Sequence, residues 1–294
     1  MKYKLIACRF LIGFITLTET AIAQNFDSVE IKTNKITESI YFLEGSGGNI
    51  GVLTGKDGVI LIDDQFAPLT EKIKKALAAI SNKPVKFVIN THFHFDHTGG
   101  NENFGAEGAV IVAHENNRRR LTTDQFIATF KTDQKAAPYD AIPKVTFTES
   151  VTFHLNGETV QAFHVKNAHT DGDVIIQFKE SNVFHTGDVF VRYGLPFIDQ
   201  PNGGSIDGMI DAINQLLALT NEQSIIIPGH GAISGKKDLI DYLKMLQTVR
   251  KRIAEGMRKG KTLQQIIDSE PAKEFTAAFE RSLFVESVYT SLKK

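Results

Sequence analysis

Apolar positions along this chain fall into two rhythms, short runs suited to strands and longer stripes with helical spacing. Strand-like runs come first, over 30–36, 40–43, 49–53 and 58–62. Gly45-Ser46-Gly47-Gly48 and Gly55-Lys56-Asp57-Gly58 separate them as turns. The last run, Val59-Ile60-Leu61-Ile62, ends in Asp63-Asp64, so an apolar strand delivers two carboxylates to its C-terminal end. Pro68 then opens a stretch through Ile80 in which Leu69, Ile73, Leu77 and Ile80 share a helical face. Strands are expected over 85–89 and 109–113, then a charged helix from Glu115 to near Thr132. The stretch 131–144, with Pro138 and Pro143, is the least regular and is expected to overhang a site as a mobile loop.

A second β-rich block follows at 145–147, 151–155, 159–165, 174–178 and 183–185, with Asn156-Gly157 as a hairpin signal. The pattern then predicts an amphipathic helix over 205–219 and a strand over 224–227. A long helix over 236–257 carries the stripe Leu239, Leu243, Leu246, Val249 and Ile253, and shorter helical segments lie near 262–268 and 282–292. Strand block and helices, twice over, predict a mixed α/β (α+β) fold of two packed sheets with helices outside, built from two related halves. No linker, low-complexity segment or short repeat interrupts the pattern, so residues 27–294 are read as one domain.

The chemistry is concentrated after the strand 85–89, in Thr91-His92-Phe93-His94-Phe95-Asp96-His97-Thr98-Gly99-Gly100. Imidazole and carboxylate are ligands that zinc and similar cations use in hydrolytic sites. Residues two apart do not share a helix face, so His92 and His94 cannot both ligate from a regular helix, whereas in an extended segment they project to one side. The stretch therefore reads as a strand end running into a ligand-bearing loop. Three later strand ends offer the same local setting: His169 in Ala168-His169-Thr170-Asp171-Gly172-Asp173, Asp188 in His185-Thr186-Gly187-Asp188, and His230 in Pro228-Gly229-His230-Gly231. In each, a small or turn-forming residue lets the backbone bring its ligand close to an ion.

His92-x-His94-x-Asp96-His97 followed in order by His169, Asp188 and His230 resembles the metallo-β-lactamase superfamily, over nearly the whole chain from Asp63 onward. The resemblance implies a four-layer αββα sandwich with a dinuclear metal site at one edge. It implies that His92, His94 and His169 hold one metal, that Asp96, His97 and His230 hold the other, and that Asp188 bridges them. Asp63 matches an aspartate that supports the ligand loop from behind. The implied cofactor is two Zn2+ per chain, with iron or manganese as alternatives. Two cations sharing Asp188 would hold a water or hydroxide whose pKa falls to about 7. Asp96 and Asp188 are then the catalytic carboxylates, with Asp96 orienting the nucleophile toward an ester, lactone, lactam or thioester carbonyl. Arg192 and Tyr193, just after the Asp188 loop, are candidates for holding substrate. Aspartate at 188 is similar to the glyoxalase II-like thioesterases and lactonases, since the best-known zinc lactamases of the family carry cysteine or serine there. Against glyoxalase II itself, no basic glutathione-binding motif stands in 236–294. An oxygen- or sulfur-using diiron member and a non-catalytic metal-binding protein are the rival readings. His114, His154, His164 and His185 are read as structural.

Composition narrows this further. The chain has 294 residues, 42% hydrophobic and 23% charged, with a formal net charge of −1, which gives no electrostatic reason to expect nucleic acid. Arg118-Arg119-Arg120 and Arg250-Lys251-Arg252 read as solvated helix faces. A small-molecule substrate is the expected partner, and nothing in the pattern bears on oligomeric state. Lys2 and Lys4, the apolar stretch 11–17 and Ala21-Ile22-Ala23 read as a secretory leader cut after Ala23, which predicts a periplasmic or secreted protein with no stable membrane span. Cys8, the only cysteine, would leave with it, and there is no G-x-S-x-G elbow, so neither a cysteine nor a serine nucleophile competes with metal-activated water.

Overall fold

The computed structural model describes residues 25–127 and 132–293. The leader reading and Cys8 fall on residues outside these. In chain order the structure opens with β1 (Lys32–Lys35), β2 (Ile40–Glu44), β3 (Ile50–Leu53) and β4 (Val59–Ile62), then α1 (Thr70–Ala78) and β5 (Val85–Ile89). The short helices α2 (Phe95–Thr98) and α3 (Asn101–Ala106), β6 (Val110–His114) and α4 (Glu115–Leu121) follow. A ribbon of β7 (Gln125–Ile127) and β8 (Thr132–Gln134) leads to β9 (Val145–Phe147). The second half comprises β10 (Ser150–Leu155), β11 (Glu158–His164), β12 (Val174–Phe178), β13 (Val183–His185), α5 (Ile206–Leu219) and β14 (Ile225–Ile227). Helices α6 (Lys236–Arg258), α7 (Leu263–Asp268) and α8 (Arg281–Ser291) close the chain.

One sheet has the order β1-β2-β3-β4-β5-β6-β9, antiparallel through β4 and parallel beyond it. The other runs β10 to β14 in chain order and is antiparallel except for the last pair. Asn156 and Gly157 both have positive φ (55° and 82°), as the two-residue hairpin joining β10 to β11 requires. The parallel pairing of β13 with β14 needs a crossover, and α5 supplies it.

The sheets pack face to face through Ile40, Leu53, Ile60, Ile62 and Ile89 on one side and Val160, Ala162, Ile176, Phe178 and Val183 on the other. The outer face of the first sheet, with Val52, Leu61, Val88 and Ile111, is covered by Leu69, Ile73 and Leu77 and by Phe104 of α3. Ile175, Phe184 and Ile226 on the outer face of the second are covered by α5 and α6. Each fully buried side chain of this size contributes about 1.5–3 kcal/mol. Burial on both faces explains why β3 and β4 are apolar at nearly every position instead of alternating. The four-layer αββα arrangement follows. Among the described residues no helix is long and apolar enough to cross a membrane.

Three expectations change. The charged helix stops at Leu121, because Thr122 and Thr123 hydroxyls and the Gln125 amide bond back to the carbonyls of Arg119 and Arg120 and end it. The stretch after it, expected to be irregular, carries β8, and its Ala137 N–H donates to Leu121 O at the end of α4. The strand 145–147 joins the first sheet rather than the second: Lys144 N–H donates to Ile111 O and starts a parallel ladder beside β6.

Candidate metal centre

Strand ends of both sheets converge at one edge. Asp63 leaves β4 with φ 64°, a left-handed conformation that aspartate tolerates better than most residues. There its carboxylate takes the Thr91 N–H and the Thr91 hydroxyl, each at 2.7 Å. This clasp fixes the chain where it leaves β5. His92 follows on a bend and His94 in extended backbone, and then the single turn of α2 presents Asp96 and His97.

Three imidazoles form the first group. His94 Nδ1 lies 3.1 Å from His92 Nε2 and 3.0 Å from His169 Nε2, and all three rings are buried. The outer nitrogen of each ring meets an acceptor. His94 Nε2 faces Asp199 Oδ2 at 2.9 Å, His169 Nδ1 faces Phe197 O at 2.8 Å, and His92 Nδ1 faces Thr91 Oγ1 at 3.0 Å. The Thr91 hydroxyl proton is already given to Asp63, so this oxygen accepts from His92. Every ring proton is therefore assigned outward, and three lone pairs are left pointing at one another. Burial, then the neighbouring imidazoles, hold His92 well below the ordinary histidine range and His169 at about 4. A cation bound between the three lone pairs would satisfy them together.

The second group mixes imidazole and carboxylate. His97 Nδ1 donates to Asp63 Oδ2 at 2.8 Å, which turns Nε2 inward to within 3.2 Å of Asp188 Oδ1 and 3.6 Å of Asp96 Oδ2. His230 Nε2 lies 3.2 Å from Asp96 Oδ2 and 3.5 Å from Asp188 Oδ1. Burial works to raise both carboxyls, but His97 and His230 outweigh it, holding Asp96 at about 2 and Asp188 well below the carboxylate range. The carboxylates in turn overcome burial to raise His230 to about 9 and His97 well above its usual value. These opposed shifts mark a strong attraction between the two imidazoles and the two carboxylates. Asp188 joins the two groups: Oδ1 faces His97 and His230, while Oδ2 lies 3.8 Å from His169 Nε2. Its Oδ1 is buried without a hydrogen bond of acceptable geometry. Each of the sets His92-His94-His169, His92-His97-Asp188 and Asp96-His97-His230 keeps its ligand atoms within 4.8 Å of one another. The donor set fits metal ions.

The fold leaves no spare room around it. A Cβ on Gly229 would lie 2.1 Å from Asp188 Oδ1, and one on Gly48 would lie 2.1 Å from the His97 ring. Asn49 ties these two glycine loops together, its side-chain amide donating to Pro228 O and Gly231 O.

Residues 43–230 match the model of the metallo-beta-lactamase superfamily. The chain belongs to that superfamily. Among solved structures it is similar to a metallo-beta-lactamase from Pontibacter korlensis, with a TM-score of 0.61 and 20% identity over 74% of this chain and 99% of that one. It is similar to the DIM-1 metallo-beta-lactamase, at 0.61 and 19% over 75% and 99%. It is also similar to a sec-alkylsulfatase from Pseudomonas sp., at 0.67 and 17%, over 88% of this chain but 50% of that one. At such identities these likenesses establish the shared fold.

This member of the superfamily brings together all seven residues proposed as ligands and sets Asp63 behind the loop that bears four of them. Arg192 is not among them: its guanidinium pairs with Asp238 at 3.0 Å, at the start of α6. Tyr193 stands beside the site, its ring 5.8 Å from that of His230. His185 is buried with Nε2 on Asn49 O and Nδ1 accepting the Gly187 N–H, and His154 is exposed on β10. His114 and His164 stack at 3.8 Å, joining the ends of β6 and β11. Asp199 escaped the sequence reading. It sits in an irregular stretch between β13 and α5, where no periodicity points inward. The only hint was the turn cluster Asp199-Gln200-Pro201-Asn202-Gly203-Gly204 after the apolar run 195–198.

Proposed function

We propose that this protein is a dinuclear metal-dependent hydrolase acting on an ester, lactone, lactam or thioester of a small molecule. The observation that supports this most is Asp188, whose two oxygens face two different ligand groups. On this reading His92, His94 and His169 would hold one ion, Asp96, His97 and His230 would hold the other, and Asp188 would stand between the two groups. Zinc suits the imidazole-rich set. Bound ions would supply a water acidified toward neutrality and Lewis acidity at the substrate oxygen.

The remaining work falls to side chains. Asp63 and Asp199 hold the tautomers of His97 and His94. Asp96, with a side chain 22% exposed against 9% for Asp188, is the more exposed carboxylate; it orients the attacking water and carries its proton to the leaving group. Burial, then the charge of Asp188, raises the Tyr193 hydroxyl well above its ordinary value, so it keeps its proton and can donate to a developing oxyanion. An export leader over 1–23 would place the enzyme outside the cytoplasm. Intact mass of the secreted protein checks that, and retention of residues 1–23 would refute it.

The test is metal quantification and a hydrolysis panel on the same sample. The panel includes a lactam and a sec-alkyl sulfate, since solved structures similar to this chain are named for these, together with a lactone and a thioester. The expected outcome is two zinc ions per chain and turnover of at least one substrate. His94→Ala and Asp188→Ala are each expected to lose metal and activity while remaining folded. Undiminished metal in both variants would overturn the assignment, and iron as the tightly held metal would favour oxygen chemistry instead.

A further inference from the structure

Arg120 belongs to an arginine run that charge patterning alone assigns to solvent, yet its side chain is only 15% exposed. Apart from Gln125 Oε1, 3.1 Å from Nη1 and close by in sequence, its guanidinium meets three segments. Nε and Nη2 donate to the two oxygens of Asp171, each at 2.7 Å. Nη1 donates to Asn202 Oδ1 at 2.6 Å. The guanidinium carbon lies over the Phe93 ring, 5.4 Å from its centroid.

These three contacts lead to members of the first imidazole group, two through the sequence and one through Asp199. Phe93 stands between His92 and His94, and Asp171 is two residues past His169. Asn202 turns its amide NH2 onto Asp199 Oδ2 at 2.7 Å, the same oxygen that faces His94 Nε2. The loop bearing Asp199 also supplies Phe197 O to His169 Nδ1, and Asp199 N–H donates to His169 O. Asn202 has a fixed orientation, because its carbonyl must face the guanidinium and its NH2 the carboxylate.

We propose that Arg120 is a positioning residue for the first metal pocket. Through Phe93, Asp171 and Asn202 it clamps the three segments that carry and orient His92, His94 and His169, and so sets the affinity of that pocket for its ion. The proposal rests on the reading that these three histidines hold a metal. Only a planar fork with several N–H donors can serve a bidentate carboxylate and a third acceptor together while lying on an aromatic ring, so lysine is not an equivalent. Arg119 provides the contrast, since it also reaches Asp171, at 3.0 Å, but with a side chain 63% exposed.

The experiment is a zinc titration against a competing chelator, with cobalt(II) absorption as a second readout of ligand geometry. Wild type, His94→Ala, Arg119→Ala, Arg120→Lys, Arg120→Met and Asn202→Ala are compared. The binding equivalent that disappears in His94→Ala defines the first pocket. Arg120→Met and Asn202→Ala are expected to weaken that equivalent by about tenfold or more and to alter its cobalt spectrum. Arg120→Lys is expected not to restore it, and Arg119→Ala to stay within about twofold of wild type. Asn202→Ala leaves the Arg120–Asp171 pair in place, so it decides the matter if Arg120→Met does not fold. Wild-type affinity in Asn202→Ala and in any folded Arg120→Met would overturn the clamp while leaving the metal assignment intact. Wild-type binding in His94→Ala, or no binding in wild type, would overturn the metal assignment and the clamp with it.

Discussion

At Gly229 a single methyl group tests how tightly the centre is built. The backbone there passes so close to Asp188 that an alanine Cβ would sit 2.1 Å from Oδ1 and 2.6 Å from the Gly187 carbonyl carbon. Gly229→Ala must therefore move the Asp188 carboxylate, and bound metal and turnover are expected to drop about tenfold or more. Gly235→Ala is the control, as its Cβ would meet only Ser224 O at 3.9 Å, and it is expected to bind and turn over as wild type. Equal metal affinity in the two variants would show that Asp188 is free to adjust. A second residue-scale prediction concerns His114 and His164, stacked between the two sheets. Burial lowers both: His114, lowered further by His164, falls to about 4, and His164 is also lowered although its bond to the Asp173 carbonyl acts to raise it. Glu115, Glu149 and Asp171 act to raise them and Lys166 to lower His164, without reversing either shift. Because the folded chain takes up this proton near 4 and the unfolded chain near 6.5, the unfolded state binds more protons between these values. Stability is then fully present above 6.5 and lost as pH falls toward 4. Thermal melts should show this loss, and His114→Gln should show a smaller one; identical slopes would refute the linkage. Motif residues such as His92 and Asp188 were legible because few other arrangements explain imidazoles and carboxylates at successive strand ends. Asp199 and Arg120 were not, because their partners lie far away in sequence, 105 residues away for Asp199 and 82 for Arg120.

Elements were readable wherever a period ran uninterrupted. Helix α6 begins at Lys236 as the apolar stripe predicts and ends one residue beyond it, and the hairpin at Asn156-Gly157 follows from two residues that accept positive φ. The failures share a cause. Helix α4 looked long because charged residues continue past it, and only the side-chain bonds from Thr122, Thr123 and Gln125 reveal where it stops. The strand β9 was assigned to the wrong sheet because sheet membership is a tertiary choice that local sequence does not encode. Helix α5 shows how an element feeds the site. Ser205 caps it by accepting the Gly208 N–H at 3.0 Å, and its own hydroxyl donates to Asn167 O while its N–H donates to Ala168 O, the residue before His169. Ser205→Ala is expected to cost about 1 kcal/mol, within the range for lost helix caps. Chemical denaturation reads that cost. The ligand rings keep their own anchors, so metal content should stay at the wild-type value; a cap loss that also emptied the centre would tie α5 to metal binding directly.

For the molecule as a whole, the proposed ligands lie on loops of both sheets. His92, His94, Asp96 and His97 follow β5 of the first sheet, whereas His169, Asp188 and His230 come from the β11–β12 connection, β13 and β14 of the second. Two ions bridged by Asp188 would therefore fasten the sheets at one edge, adding to the apolar interface between them. A ligand that binds only the folded chain stabilises it by RT ln(1 + [L]/Kd), or about 2.7 kcal/mol at a hundredfold excess over Kd. For a chain of this size that corresponds to a rise of roughly 5–10 °C in the unfolding midpoint. Removing metal with a chelator should lower the wild-type midpoint by that order and leave Asp188→Ala nearly unmoved, since that variant has little metal to lose. If chelation, verified by metal content, left the wild-type midpoint where it was, the ions would not be fastening the sheets, and the stability of the sandwich would rest on its apolar layers alone.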